Sequence, residues 1–196
     1  LAHGAGGNSK SPNMVRYVQI LQTLAHVVTF DFPGNRLDSY TELHLSAAEQ
    51  ASARFPDLPL FLSGQSMGCR GCVNVVNYLN LRDQMEIKLP TFKGLIMFSY
   101  PLVPLPHPPK DEKQKHLREP PLLELSENTK MLFCSGTRDP FINKDPSVLS
   151  KLLPKMKAQT SLHILDGADH SLKGKAQKDL DKDMLTVIRK FILASV

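Results

Sequence analysis

The sequence predicts an α/β fold, in which a mostly parallel sheet is covered by helices on both faces. Short apolar runs alternate along the chain with longer segments whose apolar residues recur every three or four positions. Strands that are apolar throughout are typical of parallel sheets with both faces buried. The chain has 196 residues, of which 41% are hydrophobic and 22% charged, and this suits one globular domain with a sizeable core. We therefore expect a single domain over residues 1–196.

The first half of the chain predicts three helices and two strands. Ser11-Pro12-Asn13 is a typical helix start, and the spacing of the apolar residues after it predicts a helix over 13–25. The β-branched and aromatic run at 26–30 predicts a strand, which Pro33-Gly34 ends. The next elements are an alanine-rich helix over 45–55, a strand at 60–62 and a helix over 67–79.

The second half continues the alternation on both sides of a proline-rich segment. Its predicted strands lie at 94–98, 131–134 and 161–165, and its predicted helices at 148–156 and 180–193. The proline-rich segment, residues 101–127, is too short and too rich in proline for a helical cap domain. We interpret it as a connecting loop near the candidate site, with a short helix at 122–125.

Charge and hydropathy argue against two kinds of partner. The net charge of +5 comes mainly from residues 110–118 and 173–182, which also carry acidic residues and have no interleaved aromatics. Such segments are typical of a solvated surface, so we expect no direct nucleic-acid binding. The sequence shows no apolar run long enough to cross a bilayer and no signal-peptide pattern, so we expect no membrane partner.

The cysteines indicate a reducing environment and no metal site. The chain has three cysteines, which is an odd number. Cys69 and Cys72 lie in a predicted helix, and Cys134 lies in a predicted strand. This favours buried, reduced thiols in an intracellular protein, cytoplasmic or alternatively nuclear. Neither the cysteines nor the histidines have the spacing of metal ligands, so we expect no metal and no organic cofactor.

The pentapeptide Gly64-Gln65-Ser66-Met67-Gly68 is the most informative motif in the chain. It joins the strand predicted at 60–62 to the helix predicted over 67–79. A serine between two glycines at such a turn is exposed as a nucleophile, and its backbone is strained. Gly64 and Gly68 keep side chains away from the place where the strand and the helix approach each other. Ser66 is therefore the candidate nucleophile.

Two further residues complete a candidate catalytic triad with Ser66. Asp139 follows the strand predicted at 131–134, and His170 follows the strand predicted at 161–165. Functional residues of parallel sheets collect at the carboxyl ends of the strands, so we expect these three side chains to meet. His170 would take the serine proton, while Asp139 would orient the ring and stabilise the imidazolium. Each residue taken singly is more often structural, but the order Ser, Asp, His at three strand ends favours catalysis.

The segment Leu1-Ala2-His3-Gly4-Ala5-Gly6-Gly7 predicts the remaining part of such a site. A His-Gly sequence followed by small residues is how the oxyanion loop begins in enzymes with this serine turn. We expect the backbone N–H groups of Ala5 and Met67 to face the developing negative oxygen, and His3 to anchor the loop. The alternatives are a simple glycine turn and a phosphate-binding loop, but no Gly-Lys-Ser/Thr follows that would favour the latter.

With these motifs the sequence resembles one branch of the α/β-hydrolase fold. The further marks of the resemblance are Arg70 close behind the serine turn, Tyr100-Pro101-Leu102, Arg118 and Gly167-Ala168-Asp169-His170-Ser171. The branch is shared by testis-expressed protein 30 and subunit 3 of the non-specific-lethal histone acetyltransferase complex, and it is similar to dienelactone hydrolases. The resemblance extends from His3 to about Ile192 and implies the same nucleophile, acid and base. It also implies strands upstream of the His-Gly loop, so we expect the N-terminal strands of the fold to be missing from this sequence.

The residues and the resemblance together predict a serine hydrolase that cleaves an ester, thioester or related acyl bond of a small substrate through an acyl-enzyme. The alternative is a hydrolase-fold module that acts without catalysis as a scaffold in a larger protein complex, such as a nuclear chromatin complex. A further alternative uses Cys69 as nucleophile, although it lies a turn into the helix. We expect Arg70 to tie its helix to a neighbouring loop and Arg138 to form a surface ion pair.

Overall fold

Four strands form a parallel sheet at the centre of the part of the chain that the structure describes. The computed structural model describes residues 1–32, 36–81, 89, 91–104 and 118–196. The strands are β1 (Leu60–Gln65), β2 (Phe92–Phe98), β3 (Lys130–Gly136) and β4 (Gln159–Leu165), and they lie side by side in the order of the sequence. All neighbouring pairs are parallel, so each connection crosses from one end of the sheet to the other.

Six α-helices accompany this sheet among the described residues. They are α1 (Pro12–Leu21), α2 (Leu37–Arg54), α3 (Met67–Leu81), α4 (Pro120–Leu123), α5 (Ser147–Leu152) and α6 (Gln177–Leu193). The helix predicted over 13–25 ends four residues early, and the one predicted over 45–55 begins eight residues early. The helix predicted over 148–156 is divided into α5 and a 3₁₀ turn, where Pro154 lacks the N–H that would continue the α-helix. None of these helices is long and apolar enough to cross a membrane.

The proline-rich segment is described only at its two ends. Within it, α4 corresponds to the short helix predicted at 122–125. Residues 105–117 of the predicted 101–127 loop lie outside the described residues, as do Pro33 and Gly34. Pro33 and Gly34 are the residues expected to end the strand predicted at 26–30.

Helices cover both faces of the sheet, because alternate strand residues point to opposite sides. On one face, the residues of β2 and β3 that pack with α2, α3 and α5 are Leu95, Met97, Met131 and Phe133. On the other face, those that pack with α1 and α6 are Ile96, Phe98, Leu132 and Cys134. All eight side chains are at most 2% exposed, so both layers of the core are closed to water. The fold class predicted from the sequence is confirmed.

The strand predicted at 26–30 does not form. Within this segment Phe30 forms an isolated parallel bridge with Ala2, and the Val28 carbonyl accepts a hydrogen bond from the terminal amino group of Leu1 over 2.8 Å. Ala2 also contacts β1, because its N–H donates to the Ser63 carbonyl and its carbonyl accepts the Gln65 N–H, both over 2.9 Å. A strand needs partners at successive residues, and among the described residues Ala2 alone bridges to this segment. The prediction of a strand at 26–30 is therefore wrong.

The start of α3 lies directly on the backbone of residues 2–3, and this contact depends on Gly68. A Cβ atom at position 68 would lie 2.4 Å from the Ala2 carbonyl oxygen and 2.8 Å from that of His3. These oxygens belong to a backbone segment that is hydrogen-bonded to β1, so they cannot easily move aside. Gly71, about one turn further along α3, has room for a Cβ, whose nearest neighbour would be Tyr40 Cβ at 3.4 Å.

We predict opposite effects of alanine at these two positions. Gly68→Ala should lower the free energy of unfolding by about 1–3 kcal/mol, because overpacking strains two backbone segments. Gly71→Ala should leave the free energy of unfolding unchanged or raise it by up to about 1 kcal/mol, because alanine favours a helix more than glycine does. Denaturant unfolding of both variants measures the difference. Equal effects at the two positions would contradict the close contact described above.

Candidate active site

Ser66 lies at the turn between β1 and α3 in a strained backbone conformation. Its φ angle is 52°, in the left-handed region that residues other than glycine rarely adopt. Gly64 and Gly68 face each other across this turn, since a Cβ atom at position 64 would lie 2.3 Å from the carbonyl carbon of Gly68. The strand and the helix can meet this closely only because neither position carries a side chain.

The structure places Ser66, His170 and Asp139 in one chain of hydrogen bonds. The Ser66 hydroxyl oxygen lies 2.8 Å from His170 Nε2. On the other side of the ring, Nδ1 lies 2.9 Å from Oδ1 and 2.8 Å from Oδ2 of Asp139. Since an ionised carboxylate can only accept, Nδ1 carries the proton, and Nε2 is left to accept the serine hydroxyl. An imidazole in this arrangement is able to remove the serine proton.

Asp139 is fully buried and is fixed by a short turn after β3. Its side chain is 0% exposed, and Oδ1 also accepts the backbone N–H of Phe141 over 2.8 Å. A buried carboxylate needs such donors, because removing it from water is otherwise costly. The Phe141 ring packs against the His170 ring, with centroids 4.2 Å apart. Phe141 therefore positions both partners, a role that sequence analysis missed and that an apolar residue in a turn does not signal.

The loop that carries His170 is held by two residues of α1. Tyr17 donates its hydroxyl to the Ser171 carbonyl over 2.9 Å, and Arg16 Nη1 donates to the same carbonyl, also over 2.9 Å. The Arg16 guanidinium is itself paired with Asp181 at 2.6 Å. Sequence analysis missed these residues, because the apolar spacing of a helix does not show which polar groups will contact a distant loop.

The loop at residues 1–7 approaches Ser66 and is anchored by His3. A Cβ atom at Gly4 would lie 3.3 Å from Ser66 Cβ. His3 is 1% exposed, its Nδ1 donates to the Gly4 carbonyl over 2.7 Å, and its Nε2 accepts the Phe32 N–H over 3.1 Å. The anchoring role predicted for His3 is confirmed by these bonds.

The two backbone donors expected for an oxyanion, Ala5 and Met67, directly follow Gly4 and Ser66 in the sequence. Ala5 follows Gly4 in a turn that the Gly7 N–H closes on the Gly4 carbonyl over 3.1 Å. Met67 is the first residue of α3, so its N–H has no acceptor inside the helix. The role of Ala5 and Met67 toward a substrate oxygen stays a prediction.

The three cysteines are buried free thiols, and their surroundings disfavour ionisation. Cys69 Sγ lies 2.9 Å from the Gly64 carbonyl oxygen and 3.3 Å from that of Phe98. Burial raises the pKa of Cys69 and of Cys72 well above their usual range, and it raises the pKa of Cys134 to about 12. The thiolate needed for nucleophilic attack is therefore scarce at neutral pH, which argues against Cys69 as the nucleophile.

For two arginines near the site, Arg70 and Arg138, the predicted contacts are not found among the described residues. Among the described residues Arg138 forms no ion pair, and its Nη1 donates to the Gly167 carbonyl over 3.4 Å. Arg70 Nη1 lies 3.7 Å from the Met67 sulfur in the same helix, and no bond to a neighbouring loop is found within the described ranges. The roles predicted for Arg70 and Arg138 therefore stay predictions.

The described ends of the 101–127 loop lie beside Phe141. The Val103 N–H donates to the Phe141 carbonyl over 2.7 Å. Arg118 Nη1 donates to the carbonyls of Pro101 and Val103, over 2.9 and 3.1 Å. Since Phe141 contacts His170, these ends of the loop border the candidate site.

A cleft of about 620 Å³ lies along β1, and none of the three candidate residues contributes to it. Its lining includes apolar side chains of β1, α2 and the segment before residue 30, among them Leu62, Ala48 and Val28. Ser66, Asp139 and His170 do not line this cleft. We therefore locate the candidate site from hydrogen-bond geometry and not from cavity size.

The chain matches one family model and is similar to several solved structures. The model of a family described as alpha/beta hydrolase domain matches residues 1–192. The chain is similar to a dienelactone hydrolase from Anabaena variabilis, at 13% identity and a TM-score of 0.73, over 100% of this chain and 84% of that one. It is similar to an esterase from Pyrococcus furiosus, at 12% identity and a TM-score of 0.70, over 98% of this chain and 80% of that one. A further similar structure is Est1E from Butyrivibrio proteoclasticus, at 15% identity and a TM-score of 0.66, over 99% and 86% of the two chains.

We predict that the thiols of the native protein are unreactive at pH 8. All three are buried and have raised pKa values, so almost no thiolate is present at that pH. Unfolding should return each pKa to about 8.5, and three thiols should then react. Titration with a chromogenic disulfide before and after denaturation counts them. A thiol that reacts within seconds in the native protein would reinstate cysteine as a candidate nucleophile.

Proposed function

The chain belongs to the alpha/beta hydrolase family, and from this premise we propose that it is a serine hydrolase acting on an ester, thioester or related acyl bond of a small substrate. The observation that supports this most strongly is the chain of hydrogen bonds from Ser66 through His170 to Asp139, with 2.8 Å between the serine and the histidine. The strained backbone of Ser66 is a second support, because such a turn presents a hydroxyl to a substrate.

In the proposed acylation step, Ser66 Oγ attacks the carbonyl carbon of the substrate while His170 Nε2 takes the hydroxyl proton. Asp139 keeps the ring oriented and stabilises the imidazolium that forms, since both of its oxygens lie within 2.9 Å of Nδ1. The N–H groups of Ala5 and Met67 would donate to the negative oxygen of the tetrahedral intermediate. His170 then returns the proton to the leaving group, and the acyl group remains on Ser66.

In the proposed deacylation step, His170 Nε2 takes a proton from a water molecule that attacks the acyl carbon. The new carbonyl–oxygen bond replaces the ester bond to Ser66, and the proton on His170 passes to the departing serine oxygen. The products are a free carboxylic acid and the original enzyme. The buried charge of Asp139 assists both steps, because a charge acts more strongly in a protein interior than in water.

We also propose that the chain belongs to the branch shared by testis-expressed protein 30 and subunit 3 of the non-specific-lethal complex, in an intracellular location. The serine turn with Arg70 close behind it and the Tyr100-Pro101-Leu102 segment support this kinship.

Since one member of that branch works inside a chromatin complex, a non-catalytic scaffold that binds other proteins is the competing function. Reactivity of Ser66 distinguishes the two functions.

We predict that the protein reacts covalently with a fluorophosphonate probe and that Ser66→Ala abolishes the labelling. The same substitution should reduce the hydrolysis of 4-nitrophenyl esters by a factor on the order of 10⁴ or more, because it removes the oxygen that carries the acyl group in the proposed mechanism. Asp139→Asn should reduce hydrolysis by about 10⁴-fold through loss of the correct histidine tautomer. Gel fluorescence and initial rates provide the two measurements.

Ser150→Ala is the matched control for this experiment, because Ser150 is an exposed serine of α5 far along the chain from the turn. Its labelling should equal that of the wild type. Circular dichroism shows whether each variant is folded. A folded wild type that neither reacts with the probe nor hydrolyses any ester would overturn the proposed hydrolase and favour the scaffold.

A further inference from the structure

Three polar side chains of α1 converge on Ser171, the residue that follows His170. Asn13 Nδ2 donates to the Ser171 hydroxyl oxygen over 2.8 Å. Arg16 Nη1 and the Tyr17 hydroxyl both donate to the Ser171 carbonyl, each over 2.9 Å. Positions 13, 16 and 17 are three and four residues apart, so they lie on one face of the helix. This face of α1 therefore contacts the loop that carries the candidate base.

Arg16 also binds the next residue of this loop, Leu172, whose backbone is strained. Arg16 Nη2 donates to the Leu172 carbonyl over 2.8 Å, so the guanidinium holds the peptide units on both sides of Leu172. The φ angle of Leu172 is 53°, in the left-handed region, and its side chain is 0% exposed. A residue other than glycine keeps such a conformation only where its surroundings hold it. Release of the two carbonyls would let this turn relax, two residues away from His170.

The Arg16 guanidinium is itself oriented by two residues of α6. Its Nε and Nη2 donate to Asp181 Oδ1 over 2.8 and 2.6 Å, and Gln177 Nε2 donates to the same oxygen over 2.8 Å. The ion pair is largely removed from water, since the side chains of Arg16 and Asp181 are 11% and 30% exposed. Several charge-assisted hydrogen bonds give such a pair a better defined geometry than an exposed pair has. Arg16 therefore connects the His170 loop with two helices, α1 and α6.

We propose that Arg16, oriented by Asp181, is a positioning residue that keeps His170 at hydrogen-bond distance from its two triad partners. The role rests on the proposed hydrolase function, in which the histidine contacts both partners during acylation and deacylation. The ring lies 2.8 Å from the Ser66 oxygen on one side and 2.8–2.9 Å from the Asp139 carboxylate on the other. A shift of about 1 Å would break one of these bonds, and a displacement of that size lowers a catalytic rate by about 10²-fold. Loss of Arg16 should therefore slow turnover and leave substrate binding unchanged.

Steady-state hydrolysis of 4-nitrophenyl acetate tests the role of Arg16. Arg16→Gln should lower kcat by about 10–100-fold and change KM by less than about twofold, because the base is misplaced while the substrate contacts are kept. Arg16→Lys keeps the positive charge but lacks the planar fork of donors, so it should recover only part of the loss. Tyr17→Phe should lower kcat less than Arg16→Gln does, because Arg16 still holds the same carbonyl.

Asp181→Asn tests whether Arg16 and Asp181 act as one unit. This variant should lower kcat with KM kept, because Arg16 loses the carboxylate that orients it. The double variant Arg16→Gln/Asp181→Asn should be no slower than Arg16→Gln alone, since the effects of residues that act together do not add. A double variant in which the two factors multiply would overturn the role of the pair.

Two control variants separate positioning from a general loss of stability. Arg189→Gln removes the charge of an exposed arginine in α6 and should leave kcat unchanged. Val76→Ala removes buried methyl groups of α3 on the other face of the sheet, so it should lower the melting temperature but keep kcat wherever the protein is folded. The positioning role is overturned if Arg16→Gln keeps the wild-type kcat, or if Val76→Ala lowers kcat as much as Arg16→Gln does. In either case hydrolysis that Ser66→Ala abolishes would still uphold the proposed hydrolase.

A proton resonance of His170 tests the positioning role without any substrate. The Nδ1 proton lies between the ring and the Asp139 carboxylate, so its NMR signal should lie far downfield and vanish in His170→Gln. In Arg16→Gln the signal should shift, or broaden through faster exchange with water, while Val76→Ala should leave it in place. A signal that Arg16→Gln leaves unchanged, or a wild type without the signal, overturns the role even for a protein that hydrolyses no ester.

Discussion

The candidate site depends on very close backbone contacts at the carboxyl ends of the strands. Gly68 admits the Ala2 carbonyl to the start of α3, and Gly136 at the end of β3 admits the Ala168 carbonyl, which would lie 2.1 Å from a Cβ atom. The first contact brings the loop at residues 1–7 next to Ser66, and the second brings the loop of His170 next to Asp139. Since a hydrogen bond needs its donor and acceptor within a narrow range of distance and angle, the geometry of the triad depends on these glycines.

The placement of charge is the second constraint on the site. A buried anion, Asp139, stands behind His170, where the Phe141 N–H and the histidine compensate it. This arrangement places the negative charge where an imidazolium would form in the proposed reaction.

Sequence patterns predicted the strands and helices in which one pattern of buried residues continues from end to end. Apolar runs identified β1, β2 and β3, whose residues are mostly buried between helices, and the apolar residues Leu162, Ile164 and Leu165 identified β4, which is only partly buried. The run at 26–30 has the same composition but lacks partners at successive residues, and composition alone cannot show the number of partners. The start of α2 at Leu37, eight residues before its predicted start, was missed because polar residues open that helix. The three triad candidates were predictable because each lies shortly after the end of a strand.

The sequence by itself determined the fold class, the serine turn and the order of the candidate triad, since these follow from local hydrophobic periodicity and from residues adjacent to strand ends. Only the tertiary structure decided which groups support the triad and which charges lie beside it. Tyr17 and Arg16 bind the Ser171 carbonyl from 154 and 155 residues away in the sequence, and the Phe141 ring packs on the His170 ring. Such contacts arise when packed layers bring distant segments together, and no local pattern records them.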